Sequence, residues 1–244
     1  MKAIWFESLD STNAEARRLA EKGETGPVWI ASRWQIGGRG RRGRRWSSGT
    51  GDLAATLLTV SDRSPAEAAG ISFVAALAVA ELLDAYVPAS LVRLKWPNDG
   101  LVAGAKVSGI LVESGSRADG GIWLAVGIGV NLTSAPELGR PVTTVAAHLR
   151  PDRMAAPTPD EALQRLAQTF DRWSRVWEAD GLGPVLEAWS ARATGIPGAC
   201  VAQLPAETLA GEAEGLDADG ALRLRLADGS LRRITAGDVF FGEG

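Results

Sequence analysis

Hydrophobic residues recur with helical spacing in one long stretch of the chain: Leu163, Leu166, Phe170, Trp173 and Trp177. This spacing of three and four residues predicts an amphipathic helix whose apolar side packs into the core. Three segments have the sequence of a helix-capping box, at residues 12–15, 64–67 and 158–161. We therefore expect helices to begin there, the first running to about residue 22 and the second, largely buried, to residue 86.

Short apolar or alternating runs predict strands at residues 3–6, 28–31, 53–60, 92–96, 106–113 and 122–132. The last two are expected to form a hairpin. After about residue 195 strict alternation appears at Leu222–Leu226, followed by an Asp228-Gly229 hairpin turn and a returning strand. The pattern predicts an α+β fold, with a mixed sheet and packed helices in residues 1–194 and a small all-β barrel in residues 195–244.

Composition narrows the possible functions. The 244 residues are 45% hydrophobic and 23% charged, which is ordinary for a globular protein. A net charge of -3 and a pI near 5.4 disfavour a general nucleic-acid binder. Because there is one cysteine, Cys200, and one histidine, His148, we expect no intramolecular disulfide, no cysteine-based metal site and no multi-histidine zinc site. No signal peptide and no apolar run of about 18 residues are evident, so we expect a cytoplasmic protein without membrane contact.

Residues 37–46, here called the arginine loop, contain five arginines and four glycines. Repulsion among like charges and the abundance of glycine make a packed core element unfavourable. The segment could be a lid that closes over a polyanion, a nucleic-acid-binding tail, or a disordered loop with nonspecific affinity for anions. Gly38-x-Gly40-x-x-Gly43 formally matches the dinucleotide fingerprint, but we reject this interpretation because no helix start follows.

Two further segments carry candidate chemistry. Lys95-Trp96-Pro97-Asn98-Asp99 places polar residues at the end of a strand, and Lys106 opens the next one. Asn98 and Asp99 could equally be ordinary turn residues. Glycines interrupt the apolar segment 127–132, which suggests the close approach of a ligand or another backbone, although a β-bulge without a functional role is an equally fair interpretation.

Five motifs, in this order, resemble one family, the biotin protein ligases: Asp10-Ser11-Thr12-Asn13, Gln35-x-x-Gly38-Arg39-Gly40-Arg41-x-Gly43-Arg44-x-Trp46, Lys95-Trp96-Pro97-Asn98-Asp99, Lys106-x-x-Gly109-Ile110-Leu111-x-Glu113 and Gly127-x-Gly129-x-Asn131. The resemblance implies a catalytic domain similar to class II synthetases and a C-terminal SH3-like barrel. This sequence resembles the ligase-only form of the family, which lacks the N-terminal DNA-binding domain of some members. No operator binding is therefore expected. The sequence departs from the usual family pattern at residues 100–105, which are less polar, and at the pair Ile36-Gly37, which replaces a polar and a small residue.

The resemblance implies an ATP-dependent enzyme that converts biotin to biotinyl-5′-AMP and then transfers the biotinyl group to a lysine. The acceptor would be a biotin carboxyl carrier domain of a carboxylase, and the ligase would be a monomer or weak homodimer. Its catalytic residues would be Arg41, Lys106 and Asp99. Biotin or biotinyl-AMP would contact Ser11, Thr12, Asn13, Gln35, Arg39, Gly40, Arg41, Trp46, Lys106 and Gly109. The nucleotide would contact Asn98, Gly129 and Asn131. Mg²⁺ would accompany ATP near Asp99, without a cluster of direct protein ligands.

Among these residues, the resemblance has Lys106 bridge the biotin carboxylate and phosphate, and Arg39 and Arg41 supply the charge of a mobile loop that closes over the adenylate. Asp99 would hold the incoming lysine or accept its proton. Arg42 and Arg45 would only keep the open loop solvated. Alternatives are a lipoate–protein ligase, an inactive relative and, from another functional class, a nucleic-acid-binding module.

Overall fold

The computed structural model describes residues 1–136 and 141–242. Its larger sheet has the strand order β1-β2-β3-β7-β6-β5-β4. The strands are β1 (Ala3–Leu9), β2 (Val28–Gln35), β3 (Leu53–Ser61), β4 (Val92–Lys95), β5 (Asp99–Val102), β6 (Ala105–Ser116) and β7 (Ile122–Val130). β1 and β2 are parallel and all other neighbours are antiparallel, so the predicted mixed sheet is confirmed.

Helices cover the two faces of this sheet unequally. They are α1 (Thr12–Glu21), α2 (Pro65–Ala68), α3 (Ile71–Asp84), α4 (Pro159–Asp180) and α5 (Leu182–Ser190). Helices α3, α4 and α5 pack on one face and form the main core with it. On the other face, α1 buries Ala16 against Ile30, Leu58 and Ala125. Since this cluster occupies one end of that face, the other end is left for a cavity.

The structure confirms two of the three predicted capping boxes. Ser64 and Thr158 each accept a hydrogen bond from the backbone three residues later and are bonded in return. The capping box predicted at residues 12–15 is wrong, because the helix begins at Thr12 itself and Ser11 is the N-cap residue. The hydroxyl of Thr12 is instead used in a tertiary hydrogen bond with Gln35.

The predicted buried helix 64–86 is divided into α2 and α3 at Ala69-Gly70. By length and composition alone, the segment Pro65–Asp84 could cross a membrane: its most apolar stretch has a mean hydropathy of 1.8, although Glu67 and Glu81 interrupt the apolar run. However, 72% of its most apolar stretch is buried inside the protein, as in the core helix of a globular domain.

A second, antiparallel sheet follows, with the order β11-β10-β9-β8-β12. It contains β8 (Gly198–Gln203), β9 (Thr208–Leu216), β10 (Leu222–Leu226), β11 (Leu231–Ile234) and β12 (Asp238–Phe241). This confirms the predicted small β unit, while a domain boundary at 194/195 stays a prediction. The Trp96 indole N–H donates to the Gly220 carbonyl at 3.0 Å and ties the two sheets together. Cys200 is buried in the shared core, which raises the pKa of its thiol to about 11.

Candidate active site

A cavity of about 420 Å³ opens on the face of the larger sheet opposite α3. Its floor consists of small side chains from three neighbouring strands. Gly129 of β7 is the register partner of both Ala54 on β3 and Gly109 on β6, while Gly127 opposes Leu111. The side-chain period of two in a strand brings these residues to one face, and the small residues at positions 54, 109, 127 and 129 leave the depression there.

The glycines of the floor allow two side chains to lie directly on the sheet. A Cβ atom on Gly129 would be 2.3 Å from the Trp46 ring, and one on Gly127 would be 2.2 Å from Asn13 Oδ1. Side chains, and not another backbone, therefore approach these two glycines, while the predicted approach of a ligand stays a prediction. The strand register is regular on both sides of Gly129, so the alternative of a β-bulge is wrong.

We expect Gly129→Ala to lower the free energy of unfolding by about 1–3 kcal/mol, because its methyl group overlaps the Trp46 indole. Urea denaturation measures this change. In a Trp46→Ala background the same substitution should cost much less. Gly183→Ala is the matched control, since a Cβ atom there meets nothing within 4 Å. Equal costs of Gly129→Ala in both backgrounds would contradict the packing argument.

Two positively charged side chains, Lys106 and Arg41, lie at one end of the cavity. The Lys106 ammonium is ion-paired with Asp99 and lies 5.7 Å from the centre of the Trp46 ring. Arg41 Nη1 donates to Asn98 Oδ1 at 3.3 Å, and Asn98 donates to the Ile110 carbonyl at 2.7 Å. Burial lowers the pKa of the Arg41 guanidinium, against the opposing charges of Asp238 and Asp99. A guanidinium remains charged nevertheless, so this end of the cavity suits an anion.

At the opposite end, the neutral polar side chains of Ser11, Thr12, Asn13 and Gln35 line the cavity. Gln35 Oε1 accepts hydrogen bonds from the Thr12 backbone N–H at 2.9 Å and from its hydroxyl at 3.2 Å. Thr56 Oγ1 lies 2.8 Å from Thr12 Oγ1 and 2.7 Å from Asn13 Oδ1. Asn13 Nδ2 donates to Glu113 at 2.7 Å. This network fixes the orientation of the side chains at the start of α1.

Thr56 has 0% exposure, and our sequence reasoning missed it. The available signal was a threonine within the apolar run of β3, at a position that alternation places on the floor side of the sheet. A buried hydroxyl needs partners, and these come from α1 rather than from the threonine's own strand.

The arginine loop crosses from the larger sheet to the smaller one. Arg42 and Arg44 both donate to the Asp238 carboxylate at the start of β12, at 3.0 and 2.7 Å. Our expectation that Arg42 is merely solvated is therefore wrong. The side chain of Arg45 is exposed, while its backbone forms an isolated bridge with Arg39. The loop is thus fastened to the protein rather than extended as a basic tail.

The structure brings most of the predicted site residues to this one cavity. Those that line it are Ser11, Thr12, Asn13, Gln35, Arg39, Gly40, Arg41, Trp46, Asn98, Asp99, Lys106, Gly109 and Gly129. Asn131 is not among the described residues of the lining. It is 2% exposed, and its amide nitrogen donates to the Thr143 carbonyl at 3.2 Å. Its oxygen is buried without a hydrogen-bond partner in the described part of the chain.

Asp52 is a second residue that sequence reasoning missed. Its carboxylate is 1% exposed and accepts backbone N–H bonds from Leu132, Thr133 and Ser134 at 2.8–3.0 Å. It also accepts the Gly49 N–H at 2.8 Å. Asp52 therefore joins the segment that follows the arginine loop to the segment that follows β7.

Within residues 1–136 and 141–242, no group of three or more His, Cys, Asp or Glu residues could hold a metal ion. A magnesium ion near Asp99 stays a prediction.

Comparison with known proteins identifies the relatives of this chain. Residues 5–132 match the biotin/lipoate A/B protein ligase family, and residues 199–242 match the biotin protein ligase C-terminal domain. The chain is 42% identical to a biotin–[acetyl-CoA-carboxylase] ligase of Paracoccus denitrificans, across 96% of the chain and 98% of the relative. It is 30% identical to the bifunctional ligase/repressor of Escherichia coli, across 95% of the chain and 71% of that protein.

Solved structures have the same fold. A biotin protein ligase from Aquifex aeolicus in complex with biotin and ATP superposes with a TM-score of 0.79 at 23% identity, and 99% of both chains is covered. A biotin protein ligase from Leishmania major in complex with biotinyl-5-AMP gives a TM-score of 0.65 at 23% identity, with 96% of this chain and 99% of that one covered.

Proposed function

The chain belongs to the biotin/lipoate A/B protein ligase family, and we propose that it is an ATP-dependent biotin–protein ligase. It would activate biotin as biotinyl-5′-AMP and transfer the biotinyl group to a lysine of a biotin carboxyl carrier domain. The observation that carries the proposal is the 42% identity, over nearly the whole chain, to a ligase of this activity. The cavity supports it, because one end is cationic and the other neutral and polar.

The first step joins an anion to a polyanion. A biotin carboxylate oxygen attacks the α-phosphorus of ATP, an O–P bond forms, and the bond to the leaving pyrophosphate breaks. Negative charge accumulates around phosphorus, and fixed cations stabilise it without reorganising. Lys106 and Arg41 are the cations that we assign to this task, since both line the cavity at the end where Asn98 and Asp99 lie. Arg39, which also lines the cavity, would add charge from the loop.

The neutral end of the cavity suits the ureido ring of biotin, which presents one carbonyl and two N–H groups. Ser11, Thr12, Asn13 and Gln35 are the residues that we assign to this ring. What supports the assignment is that Thr12, Asn13 and Gln35 are oriented by hydrogen bonds within the protein before any ligand arrives. Trp46 would cover the apolar parts of the intermediate. Gly109 and Gly129 would contribute mainly by leaving space for the Trp46 ring.

The second step forms an amide. The acceptor amine attacks the carbonyl carbon of the mixed anhydride, the C–O bond to AMP breaks, and the amine loses a proton. We propose Asp99 as the group that holds the amine or accepts this proton, since it is the carboxylate beside Lys106. Asn98, which lines the cavity, would help to hold the nucleotide, while a nucleotide contact with the buried Asn131 stays a prediction.

We further propose that ATP is used with Mg²⁺, which when bound would neutralise phosphate charge. Asp99 and Asn98 supply oxygen atoms in the cavity, but such a site would need phosphate and water ligands as well. A cytoplasmic location, a monomeric or weakly dimeric state and the absence of operator binding stay predictions.

Pyrophosphate release tests the proposed function directly. The protein is mixed with ATP, Mg²⁺ and either biotin or lipoate. We expect release that depends on biotin, because the neutral end of the cavity offers hydrogen-bonding partners that the apolar dithiolane ring of lipoate cannot use.

Two other outcomes would change the assignment. Release that depends on lipoate and not on biotin would favour a lipoate–protein ligase, and no release with either acid would indicate an inactive relative. A carrier domain whose acceptor lysine is changed to arginine is the control for the transfer step, since it should leave biotinyl-5′-AMP formation intact.

A further inference from the structure

Two consecutive residues of the arginine loop face opposite parts of the protein. Arg41 donates to Asn98, between β4 and β5 of the larger sheet, whereas Arg42 donates to Asp238 and, through Nη2, to the Gln203 carbonyl at 3.0 Å in the smaller one. The backbone of Arg42 is in the left-handed region, with φ 56° and ψ 32°, which turns the two side chains apart. A residue other than glycine keeps this conformation when surrounding contacts hold it there.

Asp238 provides these contacts from a fixed position. It begins β12 and is the register partner of Gln203 on β8, so both acceptors of the Arg42 guanidinium lie side by side on the smaller sheet. The other carboxylate oxygen of Asp238 accepts from Arg44. One side chain thus fastens the loop on both sides of Gly43.

The charge state of Asp238 suits this arrangement. Burial by itself would raise the pKa of its carboxyl group, but the hydrogen bond from Arg44 and the charges of Arg44, Arg42 and Arg41 outweigh burial and lower the pKa. The carboxylate is therefore ionised at neutral pH. Its side chain is 21% exposed, so water screens these ion pairs less than it does pairs on an open surface.

We propose that Asp238 is a positioning residue of the smaller sheet that holds the arginine loop closed over the cavity and thereby directs Arg41 toward Asn98. The inference rests on the proposed ligase function in one respect: the loop would retain biotinyl-5′-AMP between the two steps. A mixed anhydride that escapes is lost to water, so the fastening of the loop would determine how much intermediate reaches the acceptor.

Asp238→Asn tests the proposal with two measurements. In the protein without ligands, trypsin should cleave after the arginines of the loop about five times faster, since the loop opens more often. In the presence of biotin and ATP but without an acceptor, release of biotinyl-5′-AMP should rise by about the same factor, because the asparagine lacks the negative charge and can accept only one of the two hydrogen bonds from Arg42 and Arg44.

Matched variants separate positioning from a general structural effect. Glu214→Gln removes an ion pair with Arg225 in the same sheet, and neither Glu214 nor Arg225 is among the described residues that line the cavity. It should change neither measurement. In a background of Arg42→Gln and Arg44→Gln, Asp238→Asn should cause no further release of the intermediate, because its partners are already gone.

The outcomes distinguish this inference from the ligase function. Unchanged loop cleavage in an active Asp238→Asn enzyme would overturn the positioning role alone. Faster cleavage spread over the smaller sheet would also overturn it, since this result indicates unfolding. Faster cleavage at the loop of Asp238→Asn would support the fastening of the loop even if the unchanged protein showed no biotin-dependent pyrophosphate release. The second result would refute the ligase function.

Discussion

Replacing Lys106 by glutamine is expected to slow biotin-dependent pyrophosphate release by about 10²- to 10³-fold, the usual effect of removing one fixed group that stabilises transition-state charge. Lys106 is only 9% exposed, so water cannot readily replace its ammonium group. Its neighbours Asp99 and Trp46 hold it at the cationic end of the cavity. A lysine there also has rotatable donors, which can follow oxygen atoms that move during the reaction.

The measurement is single-turnover formation of biotinyl-5′-AMP at saturating biotin and ATP. Lys22→Gln is the control, because it removes the same charge from an exposed position at the end of α1. Circular dichroism and urea denaturation show whether Lys106→Gln is folded. A folded Lys106→Gln enzyme with a rate within about threefold of the unchanged protein would refute the assigned role, since a charge in contact with the reacting oxygens is worth more than that.

Much of the fold could be predicted because local patterns of apolar and polar residues indicate most of its helices and strands. The strands of the larger sheet that alternate or are continuously apolar, such as β3 and β7, were found within a few residues. The exception is β5, which starts at Asp99 directly after the Trp96-Pro97-Asn98 segment. Proline and asparagine are typical of turns, and the four-residue strand that follows them is too short to show a period.

The residues that line the cavity could be predicted from motifs, whereas the residues that hold its walls in place could not. Motif residues such as Arg41 and Lys106 line one cavity because the end of β2 and the start of β6 lie at the same end of the larger sheet. Thr56, Asp52 and Asp238 contribute through contacts with residues 43, 80 and 194 positions away in the chain. Nothing in the local sequence of a threonine or an aspartate identifies such a distant partner, so these contacts require the folded structure.

Asp52 is the residue whose loss we expect to destabilise the protein most. Asp52→Ala leaves the backbone N–H groups of Gly49, Leu132 and Thr133 without their acceptor, together with that of Ser134. Each buried donor without a partner costs about 1–3 kcal/mol, and water entering the vacated space offsets part of this. We therefore expect the free energy of unfolding to fall by about 3–5 kcal/mol, a large share of the stability of a typical domain.

Asp52→Asn makes the argument quantitative. An asparagine can keep its oxygen toward Leu132, Thr133 and Ser134, but its amide nitrogen would face the Gly49 N–H, where two donors meet. The cost should therefore be smaller, about 1–2 kcal/mol. Urea denaturation followed by tryptophan fluorescence measures both variants. Asp62→Ala, at an exposed position, should change stability by less than about 0.5 kcal/mol. If Asp52→Ala cost no more than Asp62→Ala, the carboxylate would not be what joins the two segments.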